Sequence, residues 1–96
     1  MSNVHVISQP LVQHHLYHLR DKTTPPAEFR RLVQRLSILL AYEATQDLQL
    51  RDTKVDTPMA TAPARILAQR VGLVPILRAG LGMVDPILNL IPDAEV

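Results

Sequence analysis

Apolar residues recur at three- and four-residue steps across 29–44, at Phe29, Leu32, Val33, Leu36, Leu39, Leu40 and Ala44. Arg30, Arg31, Gln34 and Arg35 fall on the opposite face. That is the pattern of an amphipathic helix with one side against a core. A shorter helix is predicted ahead of it. Pro10 suits a first helical turn, where its missing N–H would have no partner anyway, and Ser8 or Gln9 leads into it. Leu11, Val12, Leu16 and Leu19 mark one apolar side as far as Arg20. Thr24, followed by Pro25 and Pro26, is expected to end this helix and cap the next. Val4-His5-Val6-Ile7, before both, is a short strand or an extended arm.

From Leu48 the period changes. Thr53, Val55 and Thr57 alternate with Lys54 and Asp56, which predicts a strand with one wet face that stops at Pro58. Residues 63–69 are expected to form a short helix with Ile66 and Leu67 inward. The apolar run Val71-Gly72-Leu73-Val74-Pro75-Ile76-Leu77 predicts a buried strand, Arg78-Ala79-Gly80-Leu81-Gly82 a tight turn, and residues 83–90 a helix closing at Pro92. Pro86 fits that helix only in its first turn. Strand, glycine turn and helix make half of a parallel α/β unit. Pro75 removes a ladder hydrogen bond, so regular pairing should falter there. Asp93-Ala94-Glu95-Val96 looks like the approach to a further strand, and the chain is expected to be cut off at that point.

Length and composition narrow the function classes. Ninety-six residues allow one domain with a modest core. A net charge of +1 gives no electrostatic footprint for nucleic acid, and the three aromatics, Tyr17, Phe29 and Tyr42, make no stacking platform. With no cysteine, disulfides, thiolate catalysis and Cys-based zinc sites are excluded. The first ten residues lack the basic start and apolar stretch of a signal peptide, and no apolar run approaches the ~20 residues that span a bilayer. A soluble cytoplasmic protein is the expectation.

Open α/β sheets bind ligands beyond the carboxyl ends of their strands, where residues 78–82 lie. Gly80 is expected to let backbone N–H groups approach an anion, the following helix to add its positive end, and Arg78 to contribute a forked cation. The competing reading is a plain strand-to-helix turn with a solvated arginine, since the spacing is neither GxGxxG nor a Walker A loop. His14, His15 and His18 lack any HExxH-type carboxylate and read as a solvated helix face. Arg30, Arg31 and Arg35 read as a basic outer face, and Glu43 and Asp47 as surface charges on the long helix.

The block Val74-Pro75-Ile76-Leu77-Arg78-Ala79-Gly80-Leu81-Gly82-Met83 closely resembles the uracil phosphoribosyltransferase family. Val4-His5-Val6-Ile7 with Pro10-Leu11-Val12-Gln13-His14, then Leu19-Arg20-Asp21-Lys22, Leu39-Leu40-Ala41-Tyr42-Glu43-Ala44-Thr45 and Asp56-Thr57-Pro58 extend the likeness over almost the whole chain. The resemblance implies the N-terminal part of a single type I phosphoribosyltransferase domain over residues 1–96: helices, a β-arm strand and the first parallel βα unit of an incomplete α/β fold. It implies transfer of ribose 5-phosphate from phosphoribosyl diphosphate (PRPP) to uracil, giving UMP. Magnesium as cofactor, GTP as activator and a homo-oligomeric state come with it. Arg78, Ala79 and Gly80 match the family's diphosphate-binding loop, with the arginine on PRPP. The family's second basic contact, its acidic pair with the glycine-rich loop, and its uracil-reading segment have no counterpart in residues 1–96. No catalytic residue and no metal ligand is therefore expected within this chain. The alternative function is a non-catalytic interaction or dimerisation module derived from the family.

Overall fold

The structure, a computed structural model, describes residues 4–96. Residues 4–9 carry no regular secondary structure, and the elements then run α1 (Pro10–Arg20), α2 (Pro26–Ala44), β1 (Leu50–Asp56), β2 (Thr61–Leu67), a 3₁₀ turn (Ala79–Met83) and α3 (Val84–Leu90). Gln9 starts α1: its side-chain oxygen accepts the N–H groups of Leu11 and Val12 at 2.8 and 3.2 Å, with Pro10 in the first turn. Thr24 meets one half of the expectation. Its hydroxyl donates to the His18 carbonyl and so closes α1 instead of capping α2. Pro25 holds the cap position of α2 with no side-chain bond. Pro26 presets the first turn, and Glu28 places negative charge by the helix's positive end.

The helix α2 is the hub; α1, the 3₁₀ turn and α3 all pack on it. Its buried stripe is narrower than the apolar pattern suggests and lies to one side of it. Leu32, Leu36, Ser37 and Ala41 are buried, whereas Phe29 and Leu40 remain exposed. Small side chains at 37 and 41 let neighbours approach closely, which a hydropathy pattern does not register. The Ser37 hydroxyl is satisfied within the helix, donating to the Val33 carbonyl at 2.7 Å. Val12 from α1 and Pro86 from α3 complete the buried set.

Residues 63–69 are not a helix. They belong largely to β2, which pairs antiparallel with β1 from Leu50↔Leu67 to Asp56↔Thr61, leaving Ile66 and Leu67 exposed. Local chemistry favours the hairpin. At the turn the Thr57 hydroxyl accepts the N–H groups of Met59 and Ala60 at 3.3 and 3.1 Å, and the Thr61 hydroxyl donates to Asp56 at 2.7 Å. Pro63, opposite Lys54, is tolerated because each strand of a two-stranded ribbon keeps one open edge. Among the described residues the ribbon touches none of the helices.

The run 71–77 is not a buried strand either. Only Gly72 pairs, in a single parallel bridge to Glu95; the Leu73 N–H donates to the Glu95 carbonyl at 2.6 Å and the Glu95 N–H to the Val71 carbonyl at 2.9 Å. Arg70 and Glu95 add an exposed ion pair at 3.3 Å. Beyond this bridge Val74, Ile76 and Leu77 are 93%, 81% and 73% exposed. The parallel geometry and the bridge at Glu95 agree with expectation, but pairing ends after Leu73, ahead of Pro75 where the sequence predicts it to falter. Burial fails because one bridge is all the sheet that these residues assemble.

The chain is open for its size. Its radius of gyration is 17.0 Å, against about 12–13 Å for a compact domain of this length. Its surface of 8161 Å² is roughly 2,600 Å² larger than the size scaling allows. The excess is of the order of an obligate interface. The isolated 96-residue chain is accordingly expected to self-associate and to lack a sharp cooperative melt. Scanning calorimetry alongside light scattering checks this, and a sharp transition at monomeric mass would contradict it.

Candidate functional site

Residues 74–83 form the connection between the parallel bridge and α3, so the loop lies beyond the carboxyl end of the incipient strand. Arg78 precedes the 3₁₀ turn in a right-handed backbone conformation, and the Leu77–Arg78 peptide is cis. Its side chain is exposed, and among the described residues the guanidinium has no hydrogen-bond or ion-pair partner. A free, permanently charged fork of donors is thus held at the strand-to-helix connection.

Two details of the anticipated cradle are different. The Gly80 N–H donates to the Ile76 carbonyl at 2.8 Å and the Leu81 N–H to the Arg78 carbonyl at 3.0 Å, so both amides are occupied within the loop. The turn over 79–83 also stands between Arg78 and α3, so the helix does not open directly on the arginine as expected. In this arrangement the cationic side chain, and not the Gly80 amide, is what the loop offers to an anion. Ala79 follows Arg78 as the first residue of the 3₁₀ turn.

None of the described glycines has a positive φ. A Cβ built on Gly80 would meet Pro75 atoms at 3.7–3.8 Å, an ordinary contact. Neither backbone conformation nor packing demands glycine at 80. A Cβ at Gly82 would likewise sit 3.8 Å from Val33 Cγ1, where the turn packs on α2.

The remaining candidates are distributed elsewhere. His14, His15, His18, Asp21, Glu28 and Arg35 line a groove between α1 and α2. The Arg31 guanidinium beside Glu28, with help from Arg35, holds its carboxyl below the ordinary range; the ion pairs measure 3.3 and 3.2 Å. The basic face is therefore partly neutralised in place, which spacing alone did not disclose. Asp21 is lowered by the Thr23 N–H and hydroxyl that bond it. Partial burial lowers His15, and the nearby His14, Arg35 and His18 reinforce the shift. Glu43 and Asp47 do not share a helix: α2 ends at Ala44, and Glu43 accepts a bond from Gln46 at 2.9 Å. Among the described residues no group of three His, Asp or Glu could hold a metal, and no helix is long and apolar enough to cross a membrane.

A parallel bridge, a cationic connection and the helix that follows it make up a strand–loop–helix unit of an α/β fold. The uracil phosphoribosyltransferase family profile matches residues 6–96. The chain belongs to that family. Uracil phosphoribosyltransferase of Roseiflexus sp. (strain RS-1) is 59% identical over 96 residues, and that of Oceanobacillus iheyensis 54% over 97; each comparison covers 100% of this chain and 46% of the relative. The structure of the AQ2163 protein from Aquifex aeolicus superposes with a TM-score of 0.87 at 32% identity, covering 94% of this chain and 44% of the other. The chain spans about half the length of the curated relatives it matches.

The glycine geometry generates a prediction. Gly80→Ala is expected to change stability by no more than ~1 kcal/mol, because the added methyl enters an ordinary contact at unstrained φ. Carried in a chimera in which these residues replace the matching segment of the Oceanobacillus relative, the substitution should leave the melting temperature nearly unchanged.

Proposed function

We propose that this chain is the N-terminal part of a uracil phosphoribosyltransferase, which transfers ribose 5-phosphate from PRPP to uracil with release of diphosphate, and that residues 78–80 are its contribution to the diphosphate site. The observation that carries this reading is the exposed, unpartnered guanidinium of Arg78, set at the strand-to-helix connection of a chain belonging to that family. As the bond from the ribose to diphosphate breaks, negative charge collects on the leaving group and positive charge on the sugar. A guanidinium already in position holds the departing oxygens through charge-assisted hydrogen bonds and needs no reorganisation during the step.

The rest of the chemistry is assigned outside these residues. The second basic contact, the ribose and 5′-phosphate loop and the uracil reader are features of the family with no counterpart in 1–96. The described residues gather no carboxylate set for magnesium, so no residue here is assigned to hold it and no step is routed through it. The reading includes a cytoplasmic homo-oligomer that responds to GTP. The surplus surface supports association, while location and GTP response rest on family resemblance. The interaction-module alternative is not favoured, since the family match runs through the loop as well as the helices.

Two outcomes follow. The 96-residue chain by itself is expected to form no UMP from uracil and PRPP, and measurable turnover by the purified chain would contradict the assignment of the other sites. In the same Oceanobacillus chimera, Arg78→Ala should lower kcat/KM for PRPP roughly ten- to hundredfold, the equivalent of losing a charge-assisted contact. Arg78→Lys should recover only part of this, because an ammonium cannot reproduce the fork. Parameters for uracil should change much less. An Arg78→Ala chimera with unaltered PRPP kinetics would eliminate the diphosphate role.

A further inference from the structure

One cluster is unused by this reading: the three histidines of α1. His14 and His18 lie one turn apart on the helix, with ring centroids 5.0 Å apart and planes at 79°, and both are exposed. Tyr17 stacks edge-on against His18 at 5.1 Å, which restricts where that ring can swing. His15, although 5.4 Å from His14, is half-buried beside α2 and near Arg35. The carboxylates of the same groove are already engaged. Asp21 is bonded by Thr23, and Glu28 is paired with Arg31 and Arg35. This face presents two exposed imidazoles at helical spacing, and among the described residues no third His, Asp or Glu groups with them to hold a metal.

Imidazole nitrogens at i and i+4 can ligate one ion from the same helix face, as in other helical histidine pairs. Imidazole suits Zn²⁺, Cu²⁺ and Ni²⁺, while Mg²⁺ and Ca²⁺ demand oxygen ligands. We propose that His14 and His18 form a two-point surface chelate for an imidazole-preferring divalent transition ion, with water completing its coordination. The helix supplies the spacing, so little ordering is needed on binding. Among the described residues no third side chain closes the site, which makes it an exchangeable site and not a structural one.

The test is isothermal titration of the 96-residue chain with ZnCl₂, at low micromolar protein to limit self-association. His14→Ala and His18→Ala are each expected to weaken Zn²⁺ binding at least tenfold, while His5→Ala and His15→Ala stay within about threefold. MgCl₂ in tenfold excess should not displace zinc. Far-UV circular dichroism accompanies every variant, so that loss of the helix is distinguished from loss of a ligand. Binding should also fall at least tenfold in urea that melts α1, because the spacing exists only in the helix. Three results would overturn the proposal: affinity undiminished in both His14→Ala and His18→Ala, affinity retained in urea, or no zinc binding by the folded chain.

Discussion

Leu32, 1% exposed, lies on the stripe of α2 that continues through Leu36, Ser37 and Ala41, and the helical half of the molecule is organised around this surface. A chain this small gains little from burial, so its helices need one shared support. The helix α1 packs on α2, and so do the 3₁₀ turn that ends the candidate loop and α3 after it. The support matters for chemistry because the turn over 79–83 touches α2 near Val33. Arg78 is exposed, yet the backbone that carries it is anchored just downstream. The anion contact proposed for Arg78 depends on that kind of anchoring, since a charge on a wandering loop would lose its positional advantage.

Helical periodicity was the most legible part of the fold. Pro10, the Pro25-Pro26 pair and Pro86 all stand in helix starts, as their geometry requires, and the boundaries of α1 and α2 follow from them. The errors came where local pattern and pairing compete. Residues 63–69 carry Ala, Ile and Leu at spacings that suit a helix, but the hairpin turn at Thr57 and the cross-strand Asp52–Arg65 pair at 3.7 Å belong to a ribbon. Those signals are non-local and appear only once the strands face each other. The apolar run at 71–77 reads as a buried strand, yet only Gly72 pairs, in a single bridge. Burial depends on neighbours, and a single bridge supplies none for Val74, Ile76 or Leu77.

At the loop, position and charge could be read from residue order: an arginine and a glycine after an apolar run, before a helix. How the donors are used could not. Whether the Gly80 amide faces a ligand or a carbonyl four residues earlier depends on backbone torsions that composition does not encode, and here it faces Ile76. The groove charges show the same limit. Arg31 and Arg35 look like an open basic face until Glu28 is seen to bridge to both.

The β1–β2 ribbon has a consequence for folding. Its bonds join residues close in sequence, and its contacts with the helices are absent among the described residues. Hairpins of this kind close on the order of microseconds, ahead of slower rearrangements, and an isolated two-stranded ribbon is only marginally stable in water. The ribbon and the helical unit should therefore open separately, as two foldons. Amide protons along 50–67 would exchange quickly with solvent while those in the middle of α2 persist. Stiffening of the ribbon amides would report whatever surface it comes to rest against, before any change in the helices.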